Sequence, residues 1–224
     1  MATRNYSVKL EGVTPMLMHQ DSIEWSERVD RWLKIPENKK ASKAGDDRTP
    51  AWKWIGGLYY DSGYVCVPSD NLMTCIREGA SKVVRQGKET YKKLSQSLML
   101  VNEISWAVQV GGKPVPFTDA DRDMLCAESD FEKHLEFAAS RGFSLFMKRA
   151  RIGQAKHIRI RPRFEAGWAA RGTLTVLDDE IIDEQVVQDI WRMAGSLCGL
   201  NDWRPSSPQS PGSFGKFVAE VKAL

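Results

Sequence analysis

Polar and apolar residues alternate at both ends of the chain, and the alternation predicts a half-buried strand at each end. The first alternating run is residues 6–11, "YSVKLE", which stops at Gly12. The second is residues 216–222, "KFVAEVK", which follows a loop rich in proline, serine and glycine. Successive side chains of a strand point to opposite faces, so one face of each strand should be buried. We therefore expect strands over 6–13 and 214–222.

Apolar residues at helical spacing predict helices between these two strands. The predicted helices cover residues 70–85, 89–99, 118–139 and 183–198. Ser69 or Asp70 would cap the first helix, and Thr118 would cap the third, which is acidic. The apolar stripe predicted for the last helix consists of Val186, Ile190, Met193 and Leu197. Residues 20–57 show no such period. They are rich in tryptophan and lysine, and they could form either a partly ordered surface loop or a second binding contact.

Internal strands complete the predicted fold. They are expected at 64–68, at 102–110, and as a strand pair at 156–164 and 170–177. Ile104, Trp106 and Val108 would share one face of the strand at 102–110. Without insertions at about 20–57 and 111–140, the order is β-α-β-β-α-β, which is typical of the ferredoxin-like, RRM-like α+β fold. We therefore expect the whole chain to form one domain, an antiparallel sheet with two helices on one face.

The composition argues against several classes of protein. The chain has 224 residues, of which 42% are hydrophobic, which is enough for a well-buried core. It has neither an apolar run of about 18 residues nor the apolar core of a secretion signal, so we expect a cytoplasmic protein with no membrane contact. Scattered cysteines without a Cys-x-x-Cys pair favour reduced thiols over a zinc site. The calcium-like run at 119–123 lacks the turn glycine, and we expect no metal and no cofactor.

Positive charge is concentrated in residues 141–163, "RGFSLFMKRARIGQAKHIRIRPR". This segment has eight basic residues and no acidic one, while the whole chain carries +3, so the rest of the chain carries −5. Arg159, Arg161 and Arg163 would lie on one strand face at steps of about 6.6–6.8 Å. The three guanidinium charges repel one another unless an anion lies across them, and a phosphate backbone is such an anion. We predict nucleic-acid or other polyanion binding here, although basic residues also protect edge strands from aggregation.

Catalytic groups are sparse in the sequence. His157 lies within the basic strand and could contact phosphate or act as an acid or base, but no partner for it is evident. The chain contains no Walker loop, zincin helix, nucleophile elbow or dinucleotide-binding glycine motif. The sequence therefore favours a binding protein over an enzyme.

Three stretches resemble the RAMP superfamily, the ferredoxin-like proteins that form CRISPR effector backbones and guide-processing nucleases. They are "LEGVTPMLM" (10–18), "YVCVPSDNLMTCIREGA" (64–80) and "GSFGKF" (212–217). They are similar to the family's first strand, to the entry of its first helix with Arg77, and to its C-terminal glycine-rich loop. The resemblance implies copies stacked into a helical filament along single-stranded RNA or DNA, with a basic thumb-like region at 141–163.

The resemblance and the charge pattern together give a set of residues predicted to bind nucleic acid. By the resemblance, Gly212, Ser213 and Gly215 would form a loop whose bare N–H groups approach phosphate or a neighbouring subunit. The full predicted set is Lys148, Arg149, Arg151, Lys156, His157, Arg159, Arg161, Arg163, Gly212, Ser213, Gly215 and Lys216.

Three functions stay open at this point. The favoured one is a non-catalytic binder of single-stranded RNA or DNA that self-associates, alone, in a larger ribonucleoprotein complex, or as a phage-encoded relative. The second is a RAMP-type endoribonuclease that uses His157 or Asp21. The third is a module whose basic face docks on an acidic protein, such as an inhibitor that mimics a CRISPR subunit. The first is favoured because guide-processing members carry a histidine near the first helix, which this chain lacks.

Overall fold

The computed structural model describes residues 2–42, 45–152 and 155–224, and it confirms an α+β structure with a large antiparallel sheet and several helices. The strands are β1 (Arg4–Gly12), β2 (Met16–Leu17), β3 (Tyr60–Asp61), β4 (Tyr64–Pro68), β5 (Val84–Gln86), β6 (Glu89–Thr90), β7 (Met99–Val101), β8 (Ser105–Val110), β9 (Lys113–Pro114), β10 (Ser144–Ile152), β11 (Ala155–Phe164), β12 (Ala169–Val176) and β13 (Phe217–Ala223). The helices are α1 (Ile23–Leu33), α2 (Pro36–Ala41), α3 (Ser69–Ala80), α4 (Lys92–Leu98), α5 (Asp119–Ala127), α6 (Phe131–Ser140) and α7 (Glu184–Met193), with a 3₁₀ helix at Ala51–Gly57 and a π-helical turn at Ala194–Cys198.

The chain divides into two compact units. The first consists of Met1–Leu17, Cys66–Pro114 and Glu165–Leu224. The second consists of Met18–Val65 and Val115–Phe164. Most of the two predicted insertions and the whole basic segment therefore belong to one body with its own core.

The sheet of the first unit has the strand order β13-β1-β12-β8-β4, and every neighbouring pair is antiparallel. Strand β1 places Val8 opposite Val221 of β13 on one side and opposite Gly172 of β12 on the other. β12 pairs with β8 at one end and with β7 at the other. The two predicted terminal strands are thus confirmed, and they are neighbours.

The predicted strands at 156–164 and 170–177 are confirmed as β11 and β12, but their predicted pairing with each other is wrong. β11 pairs with β10 in the second unit, and only β12 enters the sheet of the first. The physical reason is local, because β10 and β11 are close in sequence and pair antiparallel from Ser144 opposite Arg163 to Ile152 opposite Ala155. Leu145 and Ile160 at the base of this hairpin are then buried within the second unit.

Helix α7 packs its aromatic face on the sheet of the first unit. Trp191 stacks on Trp106 of β8 with ring centroids 6.1 Å apart, and it meets Phe217 of β13 at the same distance. The predicted stripe of α7 is correct only at Ile190, since Leu197 is 51% exposed. The buried residues of α7 and the following turn are Val187, Ile190, Trp191, Ala194, Gly195 and Cys198.

Helix α3 packs against α7, and its first turn differs from the prediction. Neither Ser69 nor Asp70 caps the helix, because both lie within it and the cap position is Pro68, which makes no side-chain hydrogen bond. Leu72 and Ile76 of the predicted stripe are buried as expected. The predicted helix is therefore confirmed over residues 70–80, but it ends at Ala80 and not at 85, since residues 84–86 form β5, and its capping residue is corrected.

Strand β8 begins later than predicted because a carboxylate interrupts the strand. Glu103 accepts hydrogen bonds from the N–H and the hydroxyl of Thr173, at 3.0 Å and 2.8 Å, and from the indole of Trp106 at 2.8 Å. Ile104, predicted to share a strand face with Trp106 and Val108, is 83% exposed, whereas those two residues are buried. Burial of the carboxyl raises the pKa of Glu103, but these hydrogen bonds together lower it by more, so the net shift is downward. The carboxylate takes the place of a backbone acceptor between β7 and β8.

The second unit has an aromatic core. Trp54 of the 3₁₀ helix lies 5.8 Å from Phe143, which stacks on Phe164 at 5.3 Å. Phe117 and His134 are also fully buried there. The predicted cap of the acidic segment is confirmed, because Thr118 and the third residue of α5 form a reciprocal capping box.

The expectation of a partly ordered loop over 20–57 is wrong for much of its described length. Helix α1 begins after Ser22, whose side chain accepts a hydrogen bond from the N–H of Trp25. Trp25 then packs against Trp52 of the 3₁₀ helix, with ring centroids 5.8 Å apart. The tryptophans of this segment therefore serve the packing of the second unit.

Among the described residues no cysteine forms a disulfide: Cys66, Cys75 and Cys198 are buried, and Cys126 is partly exposed. Every helix in the described part of the chain is too short or too polar to cross a lipid bilayer.

Candidate nucleic-acid interface

The basic segment forms the hairpin of β10 and β11. Its register places Lys148 opposite Arg159 and Phe146 opposite Arg161. Opposite residues of antiparallel strands lie on the same face, and residues two apart along a strand share it. One face of the hairpin is therefore cationic, and we define this cationic face as Lys148, His157, Arg159, Arg161 and Arg163.

The other face of the hairpin is apolar at its base and exposed towards its tip. Leu145 and Ile160 are buried, whereas Met147 is 47% exposed and Arg149 is exposed. Arg149, which belongs to the predicted set, therefore lies on the face opposite the cationic face. The side chains of Arg151 and Lys156, also in the predicted set, lie outside the described part of the structure.

An acidic partner for the cationic face comes from a distant part of the chain. The N–H of Ile158 donates to the carbonyl of Gly45 at 2.7 Å, and the N–H of Asp47 donates to the carbonyl of Ile158 at 3.1 Å. The carboxylate of Asp47, a residue only 5% exposed, then contacts Arg159 at 3.2 Å and Lys53 at 2.8 Å. The basic segment has no acidic residue of its own, so sequence reasoning missed this counter-charge, which lies 112 residues from Arg159.

The remaining cations of the face stay in contact with solvent. Lys148 is exposed, and Arg161 and Arg163 are partly exposed. Arg161 donates from Nη1 to the carbonyl of Ile160 at 3.0 Å, and the guanidinium of Arg163 lies 5.6 Å from the ring centroid of Phe146. Aromatic and cationic groups thus lie side by side on one face, an arrangement suited to bases and phosphates together.

The two catalytic candidates do not meet at one site. An open pocket of about 390 Å³ borders the edge of β11, and Asp21 is among its lining residues. His157 is not among them, and its ring instead packs on Gly45, where a β-carbon would lie 2.2 Å from the imidazole Nδ1. Within the described residues, no three His, Cys, Asp or Glu side chains are arranged to hold a metal ion.

The glycine-rich loop before β13 closely approaches its own chain. A β-carbon at Gly212 would lie 2.0 Å from the carbonyl oxygen of Trp203, and one at Gly215 would lie equally close to a backbone oxygen of the preceding loop. The N–H of Gly212 donates to the carbonyl of Arg204 at 3.1 Å, and that of Gly215 donates to the carbonyl of Pro15 at 2.8 Å. Both N–H groups therefore already donate hydrogen bonds to carbonyl groups of the first unit.

Internal packing explains these glycines without a bound phosphate. The expected role of the Gly212 and Gly215 N–H groups as donors to phosphate is therefore not supported in this conformation. Ser213 is exposed and Lys216 is partly exposed, both in the first unit. Binding by these two residues stays a prediction.

We expect Gly215→Ala to destabilise the first unit by about 2 kcal/mol, because alanine adds a backbone clash to the cost of a left-handed conformation. Gly215 has a φ of +72°. Gly111→Ala is the matched control, because Gly111 has a φ of +59° and nothing within 4 Å of its β-carbon position. Urea unfolding of both variants measures the difference, and equal losses would contradict the role of close packing.

No protein-family model matches the chain, and no curated protein matches it significantly.

Proposed function

We propose that this protein binds single-stranded nucleic acid, RNA or DNA, through the cationic face of the β10–β11 hairpin, and that it does so without cleaving the strand. The observation that carries the proposal is a row of three arginines and one lysine on a single face that solvent reaches. Guanidinium groups bind phosphate oxygens in a fork, and a row of them neutralises successive phosphates.

The chemistry of the face supports binding over a purely structural role. Four cations share the face, and one of them, Arg159, contacts the carboxylate of Asp47. Phe146 lies on the same face, where its ring offers a surface for base stacking. A nucleic-acid strand supplies phosphates for the cations and bases for the aromatic ring, so it can use both kinds of group on this face.

We also infer that the first unit has the ferredoxin-like arrangement and that the chain is related to the RAMP superfamily. The strand order β13-β1-β12-β8 supports this, with α3 on the connection from β1 to β8 and α7 on that from β12 to β13. The proposal includes self-association along the strand, since the −5 charge outside the basic segment complements that segment in a neighbouring copy.

We expect Lys148→Ala to weaken binding of a mixed-sequence single strand and to reduce the slope of log affinity against log salt by about 0.7, the value for one phosphate that is no longer neutralised. Arg149→Ala is the comparison variant, because Arg149 is the next residue on the same strand, is also exposed, and points to the opposite face. It should leave the slope unchanged. Fluorescence anisotropy between about 50 and 200 mM salt measures both slopes.

Other results would select another function. Equal slope changes in the two variants would contradict the assignment to one face. Shortening of the strand during the titration would favour the endoribonuclease, and absence of binding at low salt would favour docking on an acidic protein. Protein purified without nuclease, then treated with RNase or DNase separately, identifies the polymer, and light scattering counts the copies on each strand.

A further inference from the structure

The pocket beside β11 is a separate feature of the second unit. Its volume of about 390 Å³ lies near the lower end of the range for small-molecule sites, so it suits one small ligand. Polar side chains of Gln20, Ser22 and Ser26 form part of its wall. Trp25 and Val29 of α1 supply an apolar part. A ligand with both an apolar ring and polar substituents fits such a wall.

Three cations line the pocket in positions that are already fixed. Asp47 holds Lys53 at 2.8 Å and Arg159 at 3.2 Å, and Arg161 is bound to the carbonyl of Ile160 at 3.0 Å. Because these contacts order the side chains before a ligand arrives, little conformational entropy is lost on binding. The pocket therefore presents a preformed site for an anionic group.

The indole of Trp25, which forms the aromatic part of the pocket wall, is also oriented by contacts with other side chains. The indole of Trp25 packs against Trp52 at 5.8 Å with a tilt of 49°. The guanidinium of Arg28 lies 5.1 Å from the ring centroid of Trp25 and 5.3 Å from that of Trp52. These contacts restrain the orientation of the indole, which makes it a stable surface for a planar ring.

We propose that this pocket binds one nucleoside monophosphate, with its phosphate at Arg159 and Arg161 and its base against Trp25. The exposed carboxylates of Asp21 and Asp30 also line the pocket, so they disfavour further phosphates and can accept hydrogen bonds from ribose or from a base amino group. The proposal rests on the proposed function only for the source of the ligand, which is either a free nucleotide or one unit of the bound strand.

Titration calorimetry of the full chain with AMP, UMP and inorganic phosphate tests the proposal. We expect AMP to bind more tightly than phosphate, and Trp25→Leu to lower AMP affinity about tenfold or more, as the loss of one base–aromatic stack should. Trp32→Leu is the matched control, since Trp32 lies on the same helix and does not line the pocket. Arg161→Met, which keeps the aliphatic stem, should also weaken AMP binding and provides a second variant if Trp25→Leu fails to fold.

Equal affinities for AMP and phosphate would overturn the placement of the base, and so would unchanged AMP affinity in a folded Trp25→Leu variant. Unchanged AMP affinity in Arg161→Met would overturn the placement of the phosphate. Lys148→Ala separates this proposal from the proposed function, because Lys148 lies outside the pocket and should affect strand binding alone. If single-stranded nucleic acid displaces AMP from the pocket, the natural ligand is one unit of the bound strand. If nucleic acid and AMP bind together, the natural ligand is a free nucleotide.

Discussion

Asp47→Asn should destabilise the second unit by about 3 kcal/mol, the lower end of the cost of breaking a buried ion pair. The carboxylate of Asp47 is buried, and it contacts Lys53, Arg159 and the N–H of Ile160. The two cations are one-third exposed and can turn to solvent, so the cost should not reach the upper end. Urea unfolding measures the loss, with Asp30→Asn, an exposed carboxylate of the same pocket, as the control.

The same variant should bind a single strand more tightly when assayed under conditions in which it is folded. Removing the carboxylate releases Lys53 and Arg159 from their shared partner, so the slope of log affinity against log salt should steepen by about 0.7 for each additional phosphate that the protein neutralises. Opposite changes in stability and affinity distinguish a neutralising carboxylate from a merely structural one. Parallel losses of both would contradict this role and would show that Asp47 acts only by holding the hairpin in place.

The position of Asp47 also shows which part of the site could be predicted from sequence. The alternation of residues 158–163 predicts the shared face of the three arginines, because the two-residue period of a strand is a local property. The counter-charge of Arg159 cannot be found by counting charges in the same segment. It arrives by tertiary pairing of residues 46 and 47 with Ile158, which only the folded chain specifies.

Two helix starts show local signals in the sequence. The cap at Thr118 was predictable, since an N-cap residue and the acidic third residue that completes its capping box are read directly from the sequence. Helix α1 was also predictable but was missed, because Trp25, Val29, Trp32 and Leu33 recur at the helical spacing i, i+4, i+7 and i+8. Ser22 followed by Glu24 adds a cap and an acidic first turn.

The regular alternation of a strand also misled the prediction at β8. Continuous alternation placed Ile104 on the same strand face as Trp106, but the carboxylate of Glu103 accepts the hydrogen bond of the Thr173 N–H, and β8 begins only after Ile104. A side chain that replaces a backbone acceptor leaves no mark on the periodicity. The cost of that interruption is small because the carboxylate accepts both the N–H and the hydroxyl of the facing residue.

A buried histidine in the second unit makes stability depend on pH. The Nδ1 atom of His134 accepts the indole N–H of Trp54 at 3.0 Å, and its Nε2 lies 3.1 Å from the carbonyl of Glu128. These partners require the neutral ring with its proton on Nε2, since a proton on Nδ1 would face the indole N–H. Burial lowers the pKa of His134 below 6.5, while the carbonyl and carboxylate of Glu128 and the carboxylate of Asp130 oppose that shift to a smaller extent.

The sign of the pH effect follows from the lowered pKa. Above pH 6.5 the ring is neutral in both the folded and the unfolded chain, so its full contribution to stability is present. As the pH falls from 6.5 towards the folded-state pKa, the unfolded chain takes up a proton that the folded chain does not. The free energy of unfolding should therefore decrease by up to about 1.4 kcal/mol per pH unit in that window.

His134→Ala should lose about 3 kcal/mol at about pH 7.5, because it leaves a cavity beside Phe131 and an unsatisfied indole N–H on Trp54. The variant should also lose the acid-dependent decrease, so its stability and that of the wild type should converge between about pH 7.5 and pH 5.5. Urea unfolding followed by tryptophan fluorescence at the two pH values measures both effects. His134→Gln, which retains a donor and an acceptor, should recover part of the stability while keeping the flat pH profile. A wild-type slope that persisted in both variants would assign the acid sensitivity to another group.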